Sequence, residues 1–218
     1  MNRKLVKRDF PTKTTFSQRV RRLSAGLLTT TGRVLHRSGV HPDALTLAGL
    51  GMVALASLFL AQGDWLLAWT ILLLGLPLDA LDGATARARG PARPFGAFLD
   101  STLDRYADAL MLGSLALHYA QTGALWLVGL AIVALHGALT VSYTRARAEG
   151  LGIACEVGWF SRLERLAVLL IALPLNALDE RSLNVALIIL AVGTQITALQ
   201  RILYVAKVSH QPEELQAP

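Results

Sequence analysis

The sequence predicts an all-α integral membrane protein: six transmembrane helices preceded by an amphipathic juxtamembrane helix, with both termini in the cytoplasm. Composition is the first observation, because 53% of the 218 residues are hydrophobic, only 17% are charged and the mean hydropathy is +0.47. The second is a series of six apolar stretches, each near the roughly 20 residues that a helix needs to cross the hydrocarbon. The third is the accumulation of Lys and Arg in alternate connections.

The N-terminal segment, residues 1–41, is strongly basic, and Asp9 is the only acid before residue 38. Its apolar residues fall near helical spacing between Phe16 and Val34, which predicts an amphipathic helix lying on an anionic leaflet. Membrane lipids are therefore an expected partner. Because topology explains the basic pI of about 10.0, nucleic acid is not an expected partner.

The transmembrane domain is predicted over residues 42–208, followed by a flexible C-terminal tail over residues 209–218. The fifth span is the weakest, because its apolar part is short and contains Pro174, and a re-entrant segment is the alternative there. The predicted spans are Pro42–Gln62, Trp65–Arg87, Gly96–Gln121, Leu125–Glu149, Arg162–Leu178 and Ser182–Val208.

Charge sets the orientation of these spans. The connections after the second and fourth spans are rich in arginine, whereas the opposite connections contain one basic residue, Arg181. The positive-inside rule therefore predicts a multi-pass protein of the inner or plasma membrane with both termini in the cytoplasm. The single cysteine, Cys155, excludes an intramolecular disulfide and a multi-cysteine zinc site, and we interpret it as a loop thiol.

Four aspartates stand at the predicted cytoplasmic ends of the second and third spans. Asp79 and Asp82 are three residues apart, and Asp100 and Asp104 are four apart, so each pair projects from one face of its helix. Unpaired carboxylates are costly in a membrane, and such a cluster normally marks an ion or substrate site. Hard oxygen ligands without histidine or thiolate indicate one or two Mg²⁺, Mn²⁺ or Ca²⁺ ions.

Three other interpretations were weighed for this cluster. The carboxylates could pair with Arg87 or Arg105 in helix packing, but this does not explain the excess of acids. A cation transporter would place its acids near the midplane or on both sides, whereas these acids crowd one end. A non-catalytic scaffold has no need for the metal-type spacing.

The same residues resemble the complete signature of the CDP-alcohol phosphotransferase family. Six helices, an N-terminal amphipathic segment and a cytoplasmic active site are also typical of that family. The resemblance implies transfer of a substituted phosphoryl group from a CDP-linked lipid to an alcohol, with release of CMP. The matching pattern is Asp79-x-x-Asp82-Gly83-x-x-Ala86-Arg87-x8-Gly96-x3-Asp100-x3-Asp104.

The resemblance also implies roles for these residues. Asp79, Asp82 and Asp100 would hold Mg²⁺, for which Mn²⁺ can substitute, and Asp104 would be the catalytic base or a fourth metal ligand. The start of the first span resembles the family's Pro-[Asn/Asp]-x-x-Thr element, with Asp in place of the commoner Asn. The residues implied in binding the CDP-lipid are Asp43, Thr46, Asp82, Gly83, Ala86, Arg87 and Gly96.

Arginines at the predicted cytoplasmic ends of the later spans indicate a phosphorylated polyol acceptor, since guanidinium groups clamp phosphate. Positive-inside flanking explains some of them equally well, but not Arg201, which interrupts an apolar stretch. The predicted acceptor-binding residues are Arg145, Arg147, Arg162, Arg165 and Arg201.

These segments resemble the phosphatidylinositol phosphate synthase branch, in which CDP-diacylglycerol donates to inositol 1-phosphate. Leu163 departs from that branch, which often has proline there. Phosphatidylglycerol phosphate synthase, which uses glycerol 3-phosphate, is the runner-up. The family resemblance alone implies a homodimer.

Two polar residues inside the spans leave alternatives open. Asp108 extends the stripe of Asp100 and Asp104 by one turn, and it either supports the site or pairs with a neighbour. His136 is interpreted as a hydrogen-bonded packing residue, with a proton path as the alternative.

Overall fold

The computed structural model describes residues 41–75 and 94–210, and in these ranges the chain forms six α-helices and no β-strand. The predicted all-α class is therefore confirmed. The helices are α1 (Pro42–Gln62), α2 (described over Trp65–Gly75), α3 (Pro94–Gln121), α4 (Leu125–Gly150), α5 (Arg162–Asn176) and α6 (Arg181–Ser209).

Several predictions fall on residues outside these ranges. They are the amphipathic helix within residues 1–40, the tail from residue 211 onward, and the first half of the signature, Asp79, Asp82, Gly83, Ala86 and Arg87.

Three helices, α1, α4 and α6, are long and apolar enough to cross a membrane. Helix α3 has 28 residues, but it carries four charged residues, Asp100, Asp104, Arg105 and Asp108. Helix α5 has 15 residues and continues through Pro174 without a break. The structure therefore supports a membrane protein, and the number of spans remains a prediction.

Helix α1 has clear start and stop signals. The His41 ring accepts a hydrogen bond from the backbone N–H of Asp43 at 3.3 Å, and Pro42 occupies the first turn, where its missing N–H costs nothing. Gly63 ends the helix in the left-handed conformation at φ 85°, which glycine adopts without strain. A Cβ at Gly63 would lie 2.8 Å from the His118 ring, so this turn packs tightly on the end of α3.

The helices pack as a chain of neighbours, with α1 on α3, α3 on α4, α4 on α6 and α5 on α6. The core is mainly aliphatic. Other leucines, including Leu58, Leu74 and Leu203, are at least 60% exposed, as expected for a surface that faces lipid. The largest fully buried side chains include Leu60, Leu115, Leu173, Leu183, Leu187 and Leu190.

Helices α4 and α6 approach each other closely at Gly137. A side chain at this position would overlap the hydroxyl of Thr194 on α6, so the contact requires glycine. Beside it, the Gln195 amide lies 3.3 Å from His136 Nδ1 and donates to the Val133 carbonyl at 3.1 Å. His136 is therefore hydrogen-bonded, as the sequence indicated, but its side chain is exposed and not packed in the core.

Candidate functional site

The face of α3 that carries the acids runs from half-buried to buried. Asp100 and Asp104 are partly exposed, whereas Asp108, one turn further on, is 5% exposed. The four-residue spacing keeps the three carboxylates on one stripe. This half of the predicted site is therefore built by a single helix, and its deepest acid lies inside the bundle.

Asp104 is held by an arginine from another helix. Arg162, the first residue of α5, places Nη1 2.5 Å from Asp104 Oδ1. Arg105 Nη1 lies 3.7 Å from the other carboxylate oxygen and donates to the Ser101 carbonyl on its own helix. The residue predicted to act as base thus directly contacts one predicted to bind the acceptor.

Asp108 forms a second ion pair between the same two helices. Arg165 Nη2 donates to Asp108 Oδ2 at 2.7 Å, and the two side chains are 5% and 7% exposed. Arg165 also approaches the Phe160 carbonyl at 3.4 Å. Of the two alternatives for Asp108, pairing is therefore observed, and its partner belongs to the predicted acceptor set.

The start of α1 lies beside the start of α3. A Cβ at Gly96 would come within 3.7 Å of Asp43 Oδ1, an ordinary van der Waals distance. Asp43 Oδ2 lies 3.3 Å from His41 Nδ1, and Thr46 donates to the Pro42 carbonyl at 3.2 Å. The structure thus brings Asp43 and Gly96, both predicted to bind the donor, to one place.

A cavity that opens to solvent lies between α1, α2, α3 and α5. Asp104, Asp108 and Arg162 form its charged part, and Thr46 also borders it. Its remaining walls are mostly apolar and include Leu50, Met52, Val53, Leu72, Met111 and Leu166. The cavity therefore joins charged groups to a hydrophobic compartment, as a site for an amphipathic ligand would.

The other predicted acceptor arginines have different surroundings. Arg201 is 5% exposed, and its guanidinium donates to the carbonyls of Val157, at 2.9 Å from Nε, and Val141. It therefore joins α6 to α4 and to the α4–α5 loop. Arg145 pairs with Glu149 at 2.8 Å on the exposed surface of α4, and Arg147 is also exposed. Of the five predicted acceptor arginines, Arg162 and Arg165 are the two whose ion pairs with the acids of α3 are described.

Cys155 lies in the α4–α5 loop and is fully buried, in a small cluster with Ala148, Ile153 and Val208. Burial raises the pKa of the Cys155 thiol, and the positive charges of Arg201 and Arg145 offset only part of this. The thiol is therefore an inert packing group rather than a reactive one.

We expect maleimide at pH 8 to modify Cys155 in the folded chain on the order of a hundredfold more slowly than in denatured chain. The pKa of the Cys155 thiol is higher in the folded chain than in the unfolded chain. The protonated thiol therefore stabilises the folded state at pH values below its pKa in the unfolded chain. This contribution to the free energy of unfolding is lost as the pH rises through its pKa in the folded chain. Mass spectrometry of the alkylated protein measures the rate, and equal rates would contradict the buried position.

The described carboxylates fit a hard divalent cation. Asp100 and Asp104 offer only oxygen donors, one turn apart on the same helix, with Asp104 on the wall of the cavity. Within residues 41–75 and 94–210 no three acidic, histidine or cysteine side chains converge on one point. The two further predicted ligands, Asp79 and Asp82, lie outside these ranges.

Sequence reasoning found most of these residues but missed how they pair. The hydrogen bond from the Phe160 N–H to Thr197 Oγ1, at 3.0 Å, holds the loop before α5 against α6 and was not foreseen. Gly158, at φ 116°, lets the chain pass close to Thr197. The glycine was the visible signal, although nothing in the sequence names its partner.

Apolar helices with carboxylates and arginines beside a largely apolar cavity define the class, a helical membrane protein with a charged site. The profile of the CDP-alcohol phosphatidyltransferase family matches residues 39–198 of the sequence. The chain therefore belongs to the CDP-alcohol phosphatidyltransferase family, and it is an enzyme, a transferase.

Curated relatives are similar along most of the chain. A phosphatidylinositol phosphate synthase of Streptomyces avermitilis is 37% identical over 201 residues, covering 88% of this chain and 82% of the relative. An archaetidylinositol phosphate synthase of Methanothermobacter thermautotrophicus is 37% identical over 173 residues, covering 79% of this chain and 86% of the relative.

Solved structures agree with these similarities. The Mycobacterium tuberculosis phosphatidylinositol phosphate synthase with bound CDP-DAG superposes with a TM-score of 0.76 at 31% identity, covering 82% of this chain and 92% of that one. The same enzyme in complex with manganese and citrate gives a TM-score of 0.74 at 30% identity, covering 82% and 88%.

Proposed function

We propose that this enzyme transfers the phosphatidyl group of CDP-diacylglycerol to inositol 1-phosphate, giving phosphatidylinositol phosphate and CMP in phospholipid biosynthesis. The observation that carries the proposal is the pair of arginines, Arg162 and Arg165, on the acids of α3 beside a largely apolar cavity. The relatives named as phosphatidylinositol phosphate synthases support the choice of acceptor.

The donor is amphipathic, and the cavity is suited to it. Its apolar walls are suited to the start of the acyl chains, while Asp43, Thr46 and Gly96, together with Asp82, Gly83, Ala86 and Arg87, bind the CDP group. The glycines permit close approach of the nucleotide to the backbone. Two features support these assignments: the signature, and the contact between the start of α1 and the start of α3.

A divalent cation, Mg²⁺ with Mn²⁺ as substitute, is held by Asp79, Asp82, Asp100 and Asp104 in this proposal. Two ions are compatible with four carboxylates. When bound, the cation neutralises the charge that develops on the pyrophosphate as CMP leaves. The manganese complex of the mycobacterial relative supports this choice.

The acceptor is oriented by arginines, and Asp104 takes its proton. Arg145, Arg147, Arg162, Arg165 and Arg201 bind the acceptor's phosphate and so fix the position of its free hydroxyl. The hydroxyl oxygen forms a bond to the phosphorus that carries the lipid, and the bond from that phosphorus to the bridging oxygen of CMP breaks. The proton of the hydroxyl passes to the Asp104 carboxylate.

The topology proposed for this reaction has six spans within residues 42–208 and both termini in the cytoplasm. Residues 1–41 lie on the anionic leaflet of the inner or plasma membrane, and the C-terminal tail, predicted over residues 209–218, begins after Ser209, where α6 ends. The active site faces the cytoplasm, where nucleotides are available. A homodimer completes the proposal.

The test is CMP release by the purified chain with CDP-diacylglycerol, Mg²⁺ and one acceptor at a time. We expect turnover with inositol 1-phosphate and, because the arginines require a phosphate, turnover at least about a hundredfold slower with free inositol. Chelation of the cation is expected to abolish CMP release. Turnover with glycerol 3-phosphate but not with inositol 1-phosphate would overturn the acceptor and leave the family intact.

A further inference from the structure

Two ion pairs join α3 to α5 as successive rungs. Asp104 and Asp108 are one turn apart on α3, and their partners Arg162 and Arg165 are one turn apart on α5. The rungs differ in exposure: the side chains of the inner pair are 5% and 7% exposed, whereas those of the outer pair are 29% for Arg162 and 19% for Asp104. The inner rung is sealed, and the outer one is reached by water.

This difference in exposure determines which of the two ion pairs can separate. Separating Asp108 from Arg165 would leave two charges unpaired in a buried environment, which is strongly unfavourable. Separating Asp104 from Arg162 costs far less, because both groups are partly solvated and both border the cavity. The inner rung therefore holds α5 in place while the Arg162 side chain can change partner. Arg165 keeps its Nη2 on Asp108 and would reach the acceptor only through its other guanidinium nitrogens.

We propose that Arg162 is a positioning residue with two alternative partners, the Asp104 carboxylate before the acceptor binds and the acceptor's phosphate afterwards. The inference rests on the proposed function, because it takes the acceptor to carry a phosphate. Transfer of Arg162 to that phosphate gives the guanidinium a dianionic partner in place of the monoanionic carboxylate, and it releases Asp104 for the cation and the acceptor hydroxyl.

Two consequences follow from this exchange. A guanidinium 2.5 Å from Asp104 opposes cation binding at the same carboxylate, so acceptor and cation strengthen each other's binding, and this coupling is reciprocal. In addition, Asp104 stays occupied while no acceptor is present. Attack by water on CDP-diacylglycerol, which would give phosphatidic acid and CMP, is then held back.

The test is a Mn²⁺ titration followed by electron paramagnetic resonance, on the purified chain in detergent, with and without inositol 1-phosphate. In the native chain we expect inositol 1-phosphate to tighten Mn²⁺ binding by about fivefold, and free inositol to have no effect. In Arg162→Met we expect Mn²⁺ to bind about fivefold more tightly without acceptor, and inositol 1-phosphate to add nothing.

Arg105→Met is the matched control, because it also removes one positive charge within 4 Å of Asp104, but from α3 itself. We expect this variant to retain the effect of inositol 1-phosphate on Mn²⁺ binding. A change in Arg105→Met equal to that in Arg162→Met would overturn the exchange and indicate a general charge effect. Arg162→Gln repeats the test with a polar side chain, and circular dichroism verifies that each variant is helical.

Acceptor-free CMP release gives an independent readout. With CDP-diacylglycerol and Mg²⁺ alone, Arg162→Met is expected to release CMP about fivefold faster than the native chain. Native Mn²⁺ affinity together with a retained acceptor effect in Arg162→Met would overturn the proposal. The proposed function fails if the native chain binds Mn²⁺ but neither binds nor converts inositol 1-phosphate. In that case the Mn²⁺ affinity of Arg162→Met, measured without acceptor, still decides whether Arg162 competes with the cation for Asp104.

Discussion

Replacing Asp104 with asparagine is expected to lower kcat for CMP release by about a thousandfold, the usual contribution of a positioned general base. The amide keeps the size of the side chain but can neither take the proton nor hold a cation as a carboxylate does. Steady-state CMP release measures the effect. Helicity should be unchanged, because the ion pairs that the variant weakens, with Arg162 and Arg105, are partly exposed.

Asp64→Asn is the matched control for this variant. Asp64 is an exposed acid in the turn between α1 and α2, and it lies outside the signature. We expect it to keep the native rate. An Asp104→Asn enzyme with more than about a tenth of native kcat would exclude Asp104 as the base, because such a loss is below the range of general base catalysis.

Asp108→Ala is expected to destabilise the protein by about 3–5 kcal/mol, since it leaves the Arg165 guanidinium buried without its carboxylate. Unfolding in mixed micelles with increasing denaturing detergent measures this loss. Breaking the exposed pair on α4 with Arg145→Met is the control, and it should change stability by no more than about 0.5 kcal/mol.

The double variant Asp108→Leu with Arg165→Met separates stability from function. Replacing both charges with apolar groups should restore most of the stability lost in Asp108→Ala, because no unpaired charge remains buried. Turnover with inositol 1-phosphate should stay low, since Arg165 is proposed to bind the acceptor. If Asp108→Ala is as stable as the native chain, the buried pair does not hold α3 and α5 together.

Hydropathy and charge predicted the helices well, because a spanning segment must be apolar for a fixed length. The predicted bounds of α1 are those observed, and α6 differs by one residue at each end. Helix α3 begins at Pro94, two residues earlier than predicted, since proline is tolerated in a first turn although it breaks a helix interior. Helix α5 ends at Asn176, two residues short of the prediction.

The site was predicted in its residues but not in its pairings. Asp108 was visible on the acidic stripe, and Arg165 was visible among the arginines, yet they lie 57 residues apart in sequence. Which carboxylate meets which guanidinium depends on the rotation and depth of α3 against α5. No local pattern encodes that. Arg201 shows the same limit, because its acceptors are backbone carbonyls on α4 and in the α4–α5 loop.

A competition between acceptors tests most directly whether this transferase selects inositol 1-phosphate. Purified chain would be given CDP-diacylglycerol and Mg²⁺ with equal concentrations of inositol 1-phosphate and glycerol 3-phosphate, and the lipid products measured by mass spectrometry. We predict that phosphatidylinositol phosphate exceeds phosphatidylglycerol phosphate by at least about a hundredfold, as expected for a site built around the preferred polyol. Phosphatidylglycerol phosphate as the main product would contradict the account.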